Sequence, residues 1–208
     1  MAMNQVDLLQ KLAAGNANVA ERLGIPYSHY RPSGAYNPMA STNMLGQLDA
    51  YLLPIDKLQE KSQWVAWFDC SKTLPGDYLV TSAGVTYFIG SQVAFAPLMC
   101  VLTNASVSLV RPVSVTSADT AGYSGVVTAF SDTLLTGWPA SLTASGRAKA
   151  GPVPDDEGLS GWVILLPALP VEPLVADLLI DNLERTFVVT SAELTGLGWQ
   201  VHAKQVSS

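Results

Sequence analysis

Imidazole chemistry has two sources in this chain, His29 and His202, and they lie near opposite ends of the sequence. No Cys-x-x-Cys, His-x-x-x-His or His-Glu-x-x-His spacing occurs, so the ligand pattern of a zinc site is not encoded. The chain also lacks the Gly-x-x-x-x-Gly-Lys-Ser/Thr phosphate loop and the Gly-x-Ser-x-Gly nucleophile elbow. Gly196-Leu197-Gly198 has neither the third glycine nor the following helix of a dinucleotide fingerprint. Asp155-Asp156-Glu157 offers hard oxygen atoms of the kind calcium takes. Its carboxylates do not alternate as calcium ligands do, however, and Pro152-Val153-Pro154 before them reads as an exposed turn. Asp77 and Asp177 are the tempting carboxylate pair. Each follows a turn, and hydrogen bonding at the start of a strand accounts for both. Cys70 and Cys100 sit in apolar runs, where a thiol acts as a small buried hydrophobe, and both are expected to be free. No nucleophile stands beside a base. The expectation is a protein that is not an enzyme and takes no cofactor or metal.

The elements that carry these residues follow from periodicity. Residues 5–23 place Leu8, Leu9, Leu12, Val19 and Leu23 near one face of a helix, and Gly24 is placed to stop it. Residues 25–44 hold Pro26, Pro32, Gly34 and Pro38 among Tyr27, Tyr30 and Tyr36, which predicts an extended arm, not a helix or central strand. Rings on such an arm anchor it to its own barrel or to a neighbour. After Gln47 the period becomes two, with strands predicted at 48–53, 64–70, 77–81, 85–89, 99–103 and 107–110. Patterning weakens from 112 to 161, where 125–130 and 140–144 remain strand candidates. A second set follows at 162–166, 178–180, 186–190 and 199–204. The organisation is therefore a helix and aromatic docking arm (1–46), a first β module (47–111), a Ser/Thr/Gly-rich loop region (112–161) and a second β module (162–208) that completes the barrel or duplicates it.

The two strand sets resemble each other. Laid one hundred residues apart, 77–101 and 177–201 share Asp77/Asp177, Leu79/Leu179, Thr86/Thr186, Ser91/Ser191 and Val101/Val201 without a gap. Tyr87/Phe187 and Ile89/Val189 match in character, and Trp64-Val65 and Trp162-Val163 open the two sets. The shared pattern is a β-hairpin with a third strand returning beside it, which needs further strands to close a small SH3-like or OB-like barrel. The fold expected is mostly β: two related small barrels with an N-terminal helix and an extended arm.

Composition sets how such a fold meets its surroundings. Of the 208 residues 49% are apolar and only 13% charged, about half the usual charged share. Surface with so few charges suits contact with other protein. A net charge of −6 with scattered Lys and Arg argues against binding nucleic acid through its phosphates. The longest apolar run, 93–102, is too short to span a membrane as a helix, and no export leader is read at the start.

Leu74-Pro75-Gly76-Asp77-Tyr78-Leu79-Val80 followed by Gly84-Val85-Thr86-Tyr87-Phe88-Ile89 resembles the hairpin of small β-barrel proteins in the neck and tail of tailed bacteriophages. So does Ala176-Asp177-Leu178-Leu179-Ile180 with Arg185-Thr186-Phe187-Val188-Val189, although Ala176 and Leu183-Glu184 stand where glycines are usual. The stretch from Leu23 to Pro32, with Asn37-Pro38-Met39, is similar to phage structural proteins encoded near head and tail genes. The resemblance implies a head-to-tail connector subunit (an adaptor, stopper or neck protein) that forms a ring between portal and tail. The partners it implies are further copies of itself and portal or tail proteins, with DNA only as passing cargo and no membrane. Its place would be the virion, assembled in the host cytoplasm. Tyr27, Tyr30, Arg31, Tyr36 and Met39 are the interface residues expected on the arm. The competing readings are another virion component (tail-tube, tail-terminator or capsid-decorating protein) and a soluble ligand-binding barrel with a concave site at Trp67, Trp138 or Trp199.

Overall fold

The computed structural model of the chain describes residues 5–55, 62–94, 96–113, 130–145 and 161–206. Among these residues one α-helix, α1 (Gln5–Leu23), precedes twelve strands. The first six are β1 (Ile25–Tyr30), β2 (Met44–Pro54), β3 (Gln63–Phe68), β4 (Tyr78–Val80), β5 (Thr86–Ser91) and β6 (Leu98–Leu102). They close into an antiparallel barrel in the order β1-β2-β3-β6-β5-β4. The second six are β7 (Ala105–Val113), β8 (Phe130–Ala144), β9 (Gly161–Leu166), β10 (Leu178–Asp181), β11 (Thr186–Thr195) and β12 (Gly198–Val206). They close in the same cyclic order, β7-β8-β9-β12-β11-β10. Each barrel is thus two three-stranded meanders, joined by β3–β6 and β1–β4 in one and by β9–β12 and β7–β10 in the other.

The duplication extends to register. Tyr78 faces Phe88, Leu79 faces Tyr87 and Val80 faces Thr86; Leu178 faces Val188, Leu179 faces Phe187 and Ile180 faces Thr186. Both returning strands then bulge, between Ile89 and Ser91 and between Val189 and Ser191. Past the bulge the gapless alignment ends. Ser91 pairs with Met99, eight residues on, whereas Ser191 pairs with His202, eleven residues on. The second hairpin is three residues longer, so the Val101/Val201 identity does not join equivalent positions.

Three segments read differently in the structure than in the sequence, the first being 112–161, expected as loop, which supplies β8 to the second barrel. Residues 25–30, expected to be irregular, form β1 and pair on both sides. Pro26 is tolerated because pairing to β4 begins only at Ser28, so one edge of the strand is open where proline offers no N–H. The strand predicted at 107–110 belongs to β7 and so to the second barrel, whose members begin at Ala105. The candidate at 140–144 lies in β8; of 125–130 only Phe130 falls among the described residues. The acidic 155–157 cluster lies outside them.

Inward positions of the first barrel, among them Phe68, Leu79, Ile89 and Cys100, make one core cluster. Outward Tyr78, Phe88 and Val101 are equally buried because they belong to the core cluster of the second barrel. This explains why β5 is buried on both faces while its counterpart β11 alternates. Helix α1 rests on β2 and β3 through Ala20. Gly24 ends it by donating to the Ala20 carbonyl at 2.8 Å, and a Cβ at residue 24 would strike that oxygen and the Ala50 backbone.

Candidate functional site

Asp77 and Asp177 sit at the same place in their barrels, each just before the strand that opens the hairpin, and each is almost fully buried. Arg31, immediately after β1, grips Asp77 with two parallel bonds, Nε to Oδ1 at 2.8 Å and Nη2 to Oδ2 at 2.7 Å. Arg111 in β7 grips Asp177 in the same way, at 2.8 Å on both oxygens. The Leu74 and Leu174 amides donate to Oδ2 at 2.9 and 2.8 Å, and the guanidinium groups also donate to the carbonyls of Lys72 and Glu172. The arrangement pins the loop ahead of β4 or β10 to the first strand of the barrel. It is a strut, and its chemistry is fork-to-fork carboxylate binding.

The first strut has one extra member. His29 is buried in β1, with Nε2 2.7 Å from Asp77 Oδ2. Its counterpart across the duplication is Leu109, which faces Leu179 as His29 faces Leu79. Burial works against ionisation of Asp77, but hydrogen bonds from Arg31, His29 and the Leu74 amide outweigh it and hold the carboxyl below its ordinary pKa. His202 is remote from this group, exposed on β12 beside Gln200. Cys70 and Cys100 are free, and burial pushes the Cys100 thiol far above its usual range. Among the described residues no group of three or more His, Cys, Asp or Glu is placed to hold a metal ion.

Beside the first strut the barrels meet. Trp138 of β8 donates its indole N–H to the Ala35 carbonyl at 2.7 Å, and Tyr78 donates its hydroxyl to the Pro139 carbonyl at 3.0 Å. The Tyr78 and Trp138 rings lie 6.4 Å apart. Residues 35–37 run beside β8, with Thr136 bonded to Ala35 and Asn37 through the backbone. A cleft of ≈ 390 Å³ remains at this seam, between Arg31, Leu74 and Gly76 on one side and Trp138, Ala168 and Leu169 on the other.

Each of the five arm residues expected at an interface makes a contact within the chain. Tyr27 is buried against Tyr87, Arg31 forms the strut, and Tyr30 and Met39 pack on the second barrel's core. Tyr36 is 62% exposed, although its hydroxyl reaches the Thr133 carbonyl at 3.0 Å. The arm therefore docks on the chain's own second barrel.

The larger opening is elsewhere. Leu8, Leu9 and Leu12 of α1 face Trp67, Cys70, Val93 and Pro97 of the first barrel across an apolar groove of ≈ 830 Å³. Sequence reasoning found the helix, but of its expected apolar face Leu8, Leu9 and Val19 are half-buried while Leu12 and Leu23 are exposed, and the groove was missed. Nothing in the period of α1 says that, among its described side chains, Ala20 near its end is the one fully buried. No family model matches the chain, and no curated protein or solved structure is similar to it.

Proposed function

We propose that this chain is a structural subunit that works by protein–protein contact, as part of a ring in the head-to-tail connector of a tailed bacteriophage. The observation that carries the assembly reading is the apolar groove beneath α1, on a chain with few charges. Leu12 and Val93 at its edges are 43% and 60% exposed, and Leu174 and Val175 on the second barrel are 46% and 67% exposed. Surfaces of this kind are stabilised when another protein covers them. The connector form of the reading rests on the hairpin resemblance of residues 74–89 and 176–189. In that setting the partners are further copies and portal or tail proteins, and a net charge of −6 lets DNA pass without adhering.

A second reading has one observation in its favour. Trp67 lines the groove, as a ligand-binding barrel would require, and Trp138, itself almost fully buried, forms part of one wall of the cleft at the seam. Light scattering of the purified chain, alone and mixed with portal or tail subunits, separates the two. A defined oligomer, formed alone or with such a subunit, is expected. A compact monomer that ignores every virion component sinks the subunit reading.

A further inference from the structure

The contact between the two barrels is not symmetric. The first barrel contributes the loop ahead of β4 and the outer face of β4–β6: Gly76, Tyr78, Phe88 and Gly90. The second contributes its end: Trp138, residues 168–170, and Leu197 in the β11–β12 turn. Gly76 lies against Ala168, and a Cβ on Gly90 would come within 3.1 Å of the Leu197 carbonyl oxygen. One copy of the module therefore uses its side, and the other its end. In a duplicated fold, each barrel also owns the surface that its twin uses.

Among the described residues both leftover surfaces are open. Trp64 and Trp162 occupy matching places, opposite Cys100 and Ala203 in neighbouring strands. Each sets its ring edge-on to the matching aromatic, Tyr87 or Phe187, at 5.5 and 5.3 Å. Counting on from the two tryptophans, residues 168–170 stand where the first barrel has 70–72, and the Leu197 turn stands where it has Val93, Ala94 and Pro97. Of those first-barrel residues, Cys70, Ser71, Val93, Ala94 and Pro97 line the apolar groove under α1. At the other extreme, the second barrel's counterparts of Leu74, Pro75, Tyr78 and Phe88 are Leu174, Val175, Leu178 and Val188. Here Leu174 and Val175 are exposed, and Leu178 and Val188 are only half-buried where Tyr78 and Phe88 are fully buried.

We infer that a second copy of this chain occupies the groove, its Leu174–Val175 loop seated between α1 and the Val93 turn of the first barrel. This rests on the reading of the chain as a self-assembling subunit and names the surfaces by which it assembles. The contact repeats between chains the side-to-end packing found within one. Because it joins unlike surfaces it is heterologous, so it propagates into a ring where the rotation closes and into a filament where it does not. The match is in placement, not in every side chain. Lys204 stands where Val101 seals the internal seam, pairing with Val188 as Val101 pairs with Phe88.

The test uses the 208-residue chain with Val175→Glu or Val93→Glu, each at an exposed position, and Leu183→Glu at the far end of the β10–β11 hairpin as control. Analytical ultracentrifugation gives the mass, and circular dichroism verifies the fold. Each of the first two variants is expected to be monomeric, because each loses one of the two surfaces, while Leu183→Glu assembles like the parent. An equimolar mixture of Val175→Glu and Val93→Glu is expected to form dimers and nothing larger, since each supplies the surface its partner lacks. If the parent assembles and both variants assemble equally well, or their mixture stays monomeric, this contact is overturned while the subunit reading stands. If the parent stays monomeric at millimolar concentration and with portal or tail subunits, both fall.

Discussion

At the scale of single residues, the struts make unequal demands on their surroundings. Removing Arg31 leaves Asp77 with His29 and the Leu74 amide; removing Arg111 leaves Asp177 with the Leu174 amide alone among the described partners. A buried carboxylate stripped of its cation is costly, though both guanidinium groups are about one-third exposed, which softens the loss. Arg31→Ala is expected to cost about 2 kcal/mol and Arg111→Ala at least as much, read as a shift in urea midpoint. The pH dependence has a definite sign. The folded-state pKa of Asp77 is lowered, so its contribution is complete above the ordinary carboxylate pKa and disappears as pH falls through the folded value. Denaturation followed from about pH 5 to about pH 2 should show this loss, and Asp77→Asn should flatten it. The two aspartates were visible in sequence as strand-start hydrogen-bonding groups. Their pairing with arginines was not: the sequence marks Arg31 only as an arm contact, and it and Arg111 lie 46 and 66 residues from their aspartates, where no local spacing links them.

At the scale of elements, the hairpins show what sequence comparison can and cannot align. The turns match bond for bond: Thr81 to Val85 and Gly84 to Thr81 in one, Asp181 to Arg185 and Glu184 to Asp181 in the other. Gly84 has φ +83°, and Glu184 takes the same left-handed turn at φ +62°. A side chain there is strained. What holds it is Asp181, whose carboxylate accepts from the Leu183 and Arg185 amides and from the Arg185 guanidinium. The missing glycine was legible in the sequence; the compensating Asp–Arg staple was not recognised, although both residues are local. Glu184→Gly is expected to raise stability by about 0.5–1 kcal/mol, measured by thermal melting, with no change in assembly. A loss would mean that the staple already removes the strain. The arm is the opposite lesson. Proline and aromatic density concealed β1, since Pro26 precedes the point where the strand acquires its second neighbour.

At the scale of the whole molecule, the barrels share more than a linker. Tyr78, Phe88 and Val101 leave the first barrel's interior to enter the core cluster of the second. Burial pushes the Tyr78 phenol well above its usual pKa, so it stays a neutral donor to the Pro139 carbonyl. A seam with an interior of this kind makes unfolding cooperative across both halves, unlike the small polar contacts between independent domains. The parent chain should therefore melt in one calorimetric transition. Tyr78→Ala opens a cavity and strands the hydrogen-bond partner, and should cost about 3–5 kcal/mol of the stability that the barrels share. If coupling runs through this seam, the variant separates into two transitions, the later one belonging to whichever barrel keeps its core. A single transition shifted uniformly downward would instead place the coupling in the short β6–β7 connection and in residues 35–37, which bind β8 through the backbone. Cooperativity also bears on assembly. In the proposed assembly, barrels held rigidly at one angle would repeat that angle at every contact, so the rotation per subunit is fixed and decides between a closed ring and an open filament.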